Sequence, residues 1–141
     1  MTRINLIPVN ELSDQHLMAE YRELPRIVNG VLEGKFRTDN KIPPHYVLGA
    51  GHVKFCTNKL MFLQNRYQKI HSELLHRKFQ LNPNFSPTDM FNRIKISGII
   101  DKKHQFSSDE VALSRNRIIE KIMQKPNWYK WTDRKKPTYL Q

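Results

Sequence analysis

Cysteine occurs once, at Cys56. A single cysteine excludes an internal disulfide and any metal site built from several cysteines. Its expected state is a partly buried thiol. No apolar run approaches the ~20 residues that span a bilayer. The opening residues, Met1-Thr2-Arg3-Ile4-Asn5-Leu6, lack the long apolar core of a secretory signal. A cytoplasmic protein without membrane attachment is therefore expected. There is no internal repeat and no low-complexity segment. Acidic residues are scarce: 13 Asp and Glu stand against 24 Lys and Arg, leaving a net charge of +11. Such an excess opposes compaction by self-repulsion, so it is expected to serve a polyanionic partner. Nucleic acid is the stronger candidate and an anionic membrane surface the weaker.

Strand signals are equally few. Tyr46-Val47-Leu48 and Lys95-Ile96-Ser97 are short and ambiguous. Helical periodicity dominates instead. Leu17, Tyr21, Leu24, Val28 and Val31 recur every three or four residues and predict a helix over about 12–30. Pro25 removes one backbone hydrogen bond within it, so a kink or irregular turn is expected there. Leu60, Leu63, Tyr67, Ile70 and Leu74 predict a second helix over about 58–79. Ser107-Ser108-Asp109-Glu110 reads as a capping box that starts a third, with Val111, Ile118 and Ile122 on one face and Pro126 as its end. Polar connections are expected near 32–47 and 82–106. The expected fold is a mostly helical single domain over residues 1–141.

On the first helix Gln15, His16, Ala19, Arg22, Glu23 and Arg26 fall within an arc of roughly 120°, opposite the apolar face. Arg22 and Arg26 are like charges one turn apart, an arrangement that mildly destabilises a helix. Glu23 is the lone carboxylate in that arc. A carboxylate among arginines can position a cationic intermediate while the arginines hold phosphates. The third helix adds Arg115, Arg117, Lys121 and Lys125, with Arg117 and Lys121 on one face. Asn127-Trp128-Tyr129-Lys130-Trp131 and Arg134-Lys135-Lys136 follow. Interleaved aromatics and lysines suit base stacking beside phosphate contacts, and also suit a terminal segment packed on the core.

Other chemistries find little support. Glu33-Gly34-Lys35 faintly resembles a nuclease Glu-x-Lys pair but has no acidic partner at a strand end. His71 and His76 miss the i, i+4 spacing of a zinc helix. No clustered set of carboxylates, histidines or cysteines marks a metal site. Gly49-Ala50-Gly51-His52 lacks the strand, helix and third glycine of a nucleotide-binding fingerprint and reads as a turn.

Three blocks together carry a family resemblance. Thr2-Arg3-Ile4-Asn5-Leu6, followed by Asp14-Gln15-His16-Leu17-Met18-Ala19-Glu20-Tyr21-Arg22-Glu23-Leu24-Pro25-Arg26, closely resembles the phage endonuclease V family of pyrimidine-dimer DNA glycosylases. Leu48-Gly49-Ala50-Gly51-His52-Val53 resembles a second family block. Pro126 to Lys130, preceded by Arg117 and Lys121, resembles a third. The resemblance implies an all-α, compact single domain of three main helices with long loops, its N-terminal segment threaded between two helices. It implies cleavage of the glycosidic bond of the 5′ pyrimidine in a cyclobutane dimer, then a strand break at the abasic sugar by β-elimination. No metal or cofactor is implied, and the partner is double-stranded DNA carrying pyrimidine dimers or abasic sites, bound by a monomer.

By the same resemblance Thr2 is the nucleophile through its α-amine, after removal of Met1, and Glu23 is the essential carboxylate. Arg3, Gln15, His16, Arg22, Arg26, Arg117 and Lys121 are implied to contact DNA. The chemistry suits these residues. An imine-forming amine must be neutral, and an α-amine with a reference pKa near ~7.8 is roughly a tenth neutral at pH 7, against about 4 in 10,000 for lysine. A non-catalytic basic DNA-binding module would explain the charge equally well. Only Glu23 and the Thr2 amine separate the two readings. Under either, non-specific DNA affinity should fall by ~10³ between 50 and 200 mM salt if about six phosphates are contacted. A filter-binding salt titration measures the slope, and a flat slope would remove phosphate neutralisation from the account.

Overall fold

The computed structural model describes residues 4–36, 41–84 and 86–141. Its longer elements are α1 (Asp14–Leu32), α2 (His52–Cys56), α3 (Leu60–His76), α4 (Pro87–Ser97) and α5 (Ser108–Gln124). Single 3₁₀ turns lie at Val9–Glu11, Gly49–Gly51 and Thr138–Leu140, and no strand occurs among the described residues. The three longest helices are the three anticipated from periodicity. Leu17, Leu24 and Val28 on α1 and Leu60, Leu63, Ile70 and Leu74 on α3 have no exposed surface, so the two apolar stripes form the core between them. Ile118 and Ile122 bring α5 onto the same core. Ser13 caps α1 by accepting the His16 N–H at 3.1 Å. The capping box of α5 is complete: the Ser107 hydroxyl accepts the Glu110 N–H, and Glu110 accepts the Ser107 N–H.

Three local expectations change. The helix runs through Pro25 without a break. Burial of Tyr21, Leu24, Ile27 and Val28 on both sides of the proline outweighs the one hydrogen bond lost. The connection over 82–106 contains α4, and Lys95-Ile96-Ser97 is its last turn rather than a strand. Ser86 caps it, Pro87 occupies its first turn, and Gly98 closes it in the left-handed region at φ 67°. Beyond Pro87 in its first turn, its buried face is Met90 and Ile94, one turn apart, while Ile96 is 84% exposed, so the apolar pattern is too sparse to signal a helix. Gly49-Ala50-Gly51 is a turn as expected, but it leads into the five-residue α2. Tyr46-Val47-Leu48 joins no ladder.

The N-terminal segment enters this core. Ile4, Ile7 and Leu12 have no exposed surface. Backbone inside a core must find polar partners, and here side chains from different helices supply them. Leu6 N–H donates to Ser114 of α5, and Ile7 C=O accepts from Arg66 of α3. The start of α3 has no cap of its own and borrows one. Asp101 accepts the Leu60 and Met61 N–H groups across about forty residues of chain.

Glu110 does more than cap α5. Its carboxylate also accepts the Tyr46 N–H at 2.8 Å and the His104 ring N–H at 2.9 Å. Burial alone would raise its pKa. The Ser107 and Tyr46 N–H groups and the His104 ring outweigh burial and hold the carboxyl at about 2. A folded-state pKa below the unfolded one means stability that is complete above pH ~4.5 and lost as pH falls through 2. Between pH 5 and pH 2 the stability advantage of wild type over Glu110→Gln should shrink by about 3 kcal/mol. Urea unfolding at stepped pH measures this, and a pH-independent difference would contradict the assignment.

Candidate active site and nucleic-acid interface

The outward stripe of α1 is laid out as the helix wheel requires. Arg22 and Arg26 are exposed, and Gln15, His16, Ala19 and Glu23 are half-buried. Arg26 Nη1 lies 3.5 Å from Glu23 Oε2. The Arg26 side chain is 75% exposed and that of Glu23 only 26%. This pair is weak and leaves Arg26 free to turn toward an anion. Glu23 and Arg26 line a cavity of about 570 Å³ together with Ile27, Phe36, Gly49, Ala50 and Val53. The carboxylate thus sits on the wall of a largely apolar hollow, opposite a glycine-rich turn. Gly49 has φ +80°, the left-handed region that a side chain resists. The second sequence block is therefore brought across from Glu23 by the fold.

The first turn of α1 meets α5 and the C-terminal segment. The His16 ring stacks on Tyr129 at 4.7 Å with 6° between the planes, and its Nδ1 lies 2.9 Å from the Ser13 hydroxyl. Burial, followed by the nearby charges of Arg117 and Lys121, lowers the His16 pKa to about 4. His16 is therefore neutral at physiological pH. Two basic residues a hundred positions away thus lie close enough to act on its charge. Gln15 is already engaged: its amide donates to Trp128 C=O at 2.7 Å and accepts the Lys130 N–H at 3.1 Å. Asp14 fastens the same segment, accepting from Thr132 and from Arg77 at 2.9 Å.

The C-terminal aromatics differ in burial and contacts. Trp131 is half-buried and donates its indole N–H to Glu11 C=O at 2.9 Å. Tyr129 packs on His16, and Trp128 is 56% exposed with the Lys125 ammonium 5.8 Å from its ring centre. Arg134 continues the anchoring with two hydrogen bonds to Glu73, which also pairs with Arg77 at 2.9 Å. Thr2 and Arg3 lie outside the described residues.

Sequence reasoning missed the polar groups inside the core. Glu20 has no exposed surface, and Arg66 meets it at 2.7 Å. His52 is fully buried. Asn5 donates to Glu20 at 2.9 Å. The available signal was a charged residue inside an apolar stripe: Glu20 beside Leu17, Tyr21 and Leu24, and Arg66 between Leu63 and Ile70. A metal-type cluster was also not foreseen. His45, His104 and Glu110 place their ligand atoms within 4.8 Å of one another. They converge because an irregular segment, a long connection and the start of α5 meet there. Cys56 is more deeply buried than expected, with its thiol pushed up to about 12, and is inert at neutral pH.

No helix among the described residues is long and apolar enough to cross a membrane. A family model described as pyrimidine dimer DNA glycosylase matches residues 1–87. The match takes in the threaded segment, all of α1 with Glu23 and its arginines, the Gly49–Gly51 turn opposite, and α3. On that match, over more than half of its length, the chain belongs to the pyrimidine dimer DNA glycosylase family.

Proposed function

We propose that this glycosylase removes the 5′ pyrimidine of a cyclobutane dimer through the α-amine of Thr2 and then opens the strand at the same sugar. The observation that carries the reading is the setting of Glu23. It is the one carboxylate of the basic stripe, three-quarters covered, on the wall of the cavity facing Gly49 and Ala50. Family membership supports the substrate class.

The neutral amine attacks C1′, and the C1′–N1 bond breaks with its electron pair leaving on the pyrimidine. That base stays joined to its 3′ neighbour through the cyclobutane ring. Opening of the C1′–O4′ bond then gives a protonated imine, with a proton delivered to O4′. Glu23 stabilises this cation and assists ring opening. Loss of a 2′ proton, directly to Glu23 or through water, expels the 3′ phosphate and breaks the C3′–O3′ bond. Water finally hydrolyses the imine and restores the amine. Nothing in this sequence calls for a metal or a cofactor.

Arg3, Arg22, Arg26, Arg117 and Lys121 hold phosphates around the lesion, and Gln15 and His16 face the same duplex. Gln15 reaches DNA by loosening its hold on Trp128 and Lys130, which couples the aromatic segment to binding. A neutral His16 offers a stacking face and one ring N–H instead of a third cation beside Arg117 and Lys121. The protein acts as a monomer on double-stranded DNA in the cytoplasm.

Glu23→Gln separates chemistry from binding. The variant keeps volume and helix but loses the anion, so duplex affinity should be retained or slightly raised. Cleavage of dimer-bearing DNA should fall by ~10²–10⁴-fold. Single-turnover cleavage and binding titrations on one duplex measure both. Cleavage within about threefold of wild type would make Glu23 a surface charge and leave a basic DNA-binding module as the better account.

A further inference from the structure

The nucleophile of the proposed reaction lies two residues before Ile4, and the backbone of Ile4 is gripped from both sides. Its N–H donates to His52 Nε2 at 2.8 Å. Its C=O accepts the Tyr46 hydroxyl at 2.6 Å. Both groups are buried, so no water competes for either bond. The His52 tautomer follows from its partners. Nε2 accepts and is therefore bare, while Nδ1 carries the proton and donates to Val47 C=O at 2.8 Å. The Tyr46 and His52 rings pack edge to face at 5.3 Å and 86°, so each orients the other. The clamp is attached to the site in its own right: His52 directly follows the Gly49–Gly51 turn opposite Glu23, and Tyr46 is tied to α5 by Glu110.

Taking the amine chemistry above as its basis, we infer that His52 is a positioning residue for the N-terminal nucleophile, with Tyr46 as its second jaw. Two residues of chain reach at most ~7 Å, so fixing the Ile4 peptide confines the amine to a small volume around it. Attack on a sugar carbon tolerates little misplacement, and an error of about 1 Å costs on the order of 100-fold in rate. Bonds to Asn5, Leu6 and Ile7 fix the depth of the thread further in. Among the described residues, His52 and Tyr46 hold the one nearest the amine in the chain.

The test uses the full-length protein on a duplex with one abasic site, which isolates imine formation from base release. Borohydride trapping is followed in single turnover at protein concentrations that saturate each variant, with affinity measured separately. His52→Phe keeps a ring but removes the acceptor, and its trapping rate should fall by about 100-fold. Its DNA affinity should stay within about threefold, and the Ile4 amide should lose hydrogen-exchange protection. His52→Gln, which restores an acceptor, should recover most of the rate. Tyr46→Phe removes one hydroxyl from an otherwise intact core and should slow trapping in the same way, so the inference stands tested if His52→Phe does not fold. A merely structural role would lower stability and leave saturated trapping unchanged in the folded fraction. Undiminished trapping in folded His52→Phe, or in Tyr46→Phe if that variant alone folds, overturns the positioning role while leaving the amine chemistry intact. A wild-type protein that forms no adduct overturns the amine chemistry, and this role for His52 with it.

Discussion

Glu20 enters the core of this protein from α1 with no exposed surface, and Arg66 from α3 meets it there at 2.7 and 3.2 Å. Neither charge is tolerable in such a place alone. Breaking a buried pair by removing one partner typically costs about 3–5 kcal/mol, because the other is left uncompensated. The remaining capacity of the pair goes to the threaded segment, since Glu20 accepts from Asn5 and Arg66 donates to Ile7 C=O. An apolar pair of the same volume would pack α1 against α3 equally well. It would give the N-terminal chain no polar partners on its way between them. The ion pair is thus what lets backbone run through the middle of a helical core, and the arrangement of the site depends on that.

From this constraint the site follows in two halves. On the proposed reading, the threaded chain up to Ile4 delivers the amine, and the outward face of α1 bears Glu23, Arg22 and Arg26. The Gly49–Gly51 turn closes the opposite wall of the cavity and continues into His52, which holds Ile4. The basic grip is assembled separately. Arg117 and Lys121 come from α5, and the aromatic segment is fastened to the start of α1 by Gln15 and Asp14 and to α3 by Arg134 and Glu73. On the proposed reading, α1 serves both association with DNA and chemistry at the sugar, since Arg26 and Glu23 line one cavity, while α5 adds basic residues to the first alone. On the same reading the net charge of +11 serves the first, and a few buried hydrogen bonds position the second.

Legibility from sequence tracked how much of each signal is local. The faces of α1, α3 and α5 repeat over four or five turns, and the Ser107 capping box is contained in four residues, so each could be read directly. The outward stripe with Glu23 followed from the same wheel. Helix α4 escaped because its buried face is essentially Met90 and Ile94, with exposed Ile96 beside them. At Pro25 the helix continues where an irregular turn was one expectation, because tertiary burial outweighs one lost hydrogen bond. The convergence of His16 with Arg117 and Lys121, and of His45 with His104 and Glu110, joins positions far apart in the chain that no spacing rule connects. In sequence His52 reads only as part of a turn and of the second family block. Its role rests on a buried contact with the backbone of Ile4, forty-eight residues away.

The central claim is that the α-amine of residue 2 performs the chemistry while the rest of the molecule delivers it. Chemical ligation can supply two otherwise identical proteins that begin at Thr2, one with a free α-amine and one with that amine acetylated. Binding and strand cleavage are then compared on a single abasic-site duplex. The account predicts equal affinity within a few-fold, full cleavage by the free amine and none above background by the acetylated form. Cleavage at comparable rates by both forms would contradict it and move the nucleophile to a side chain.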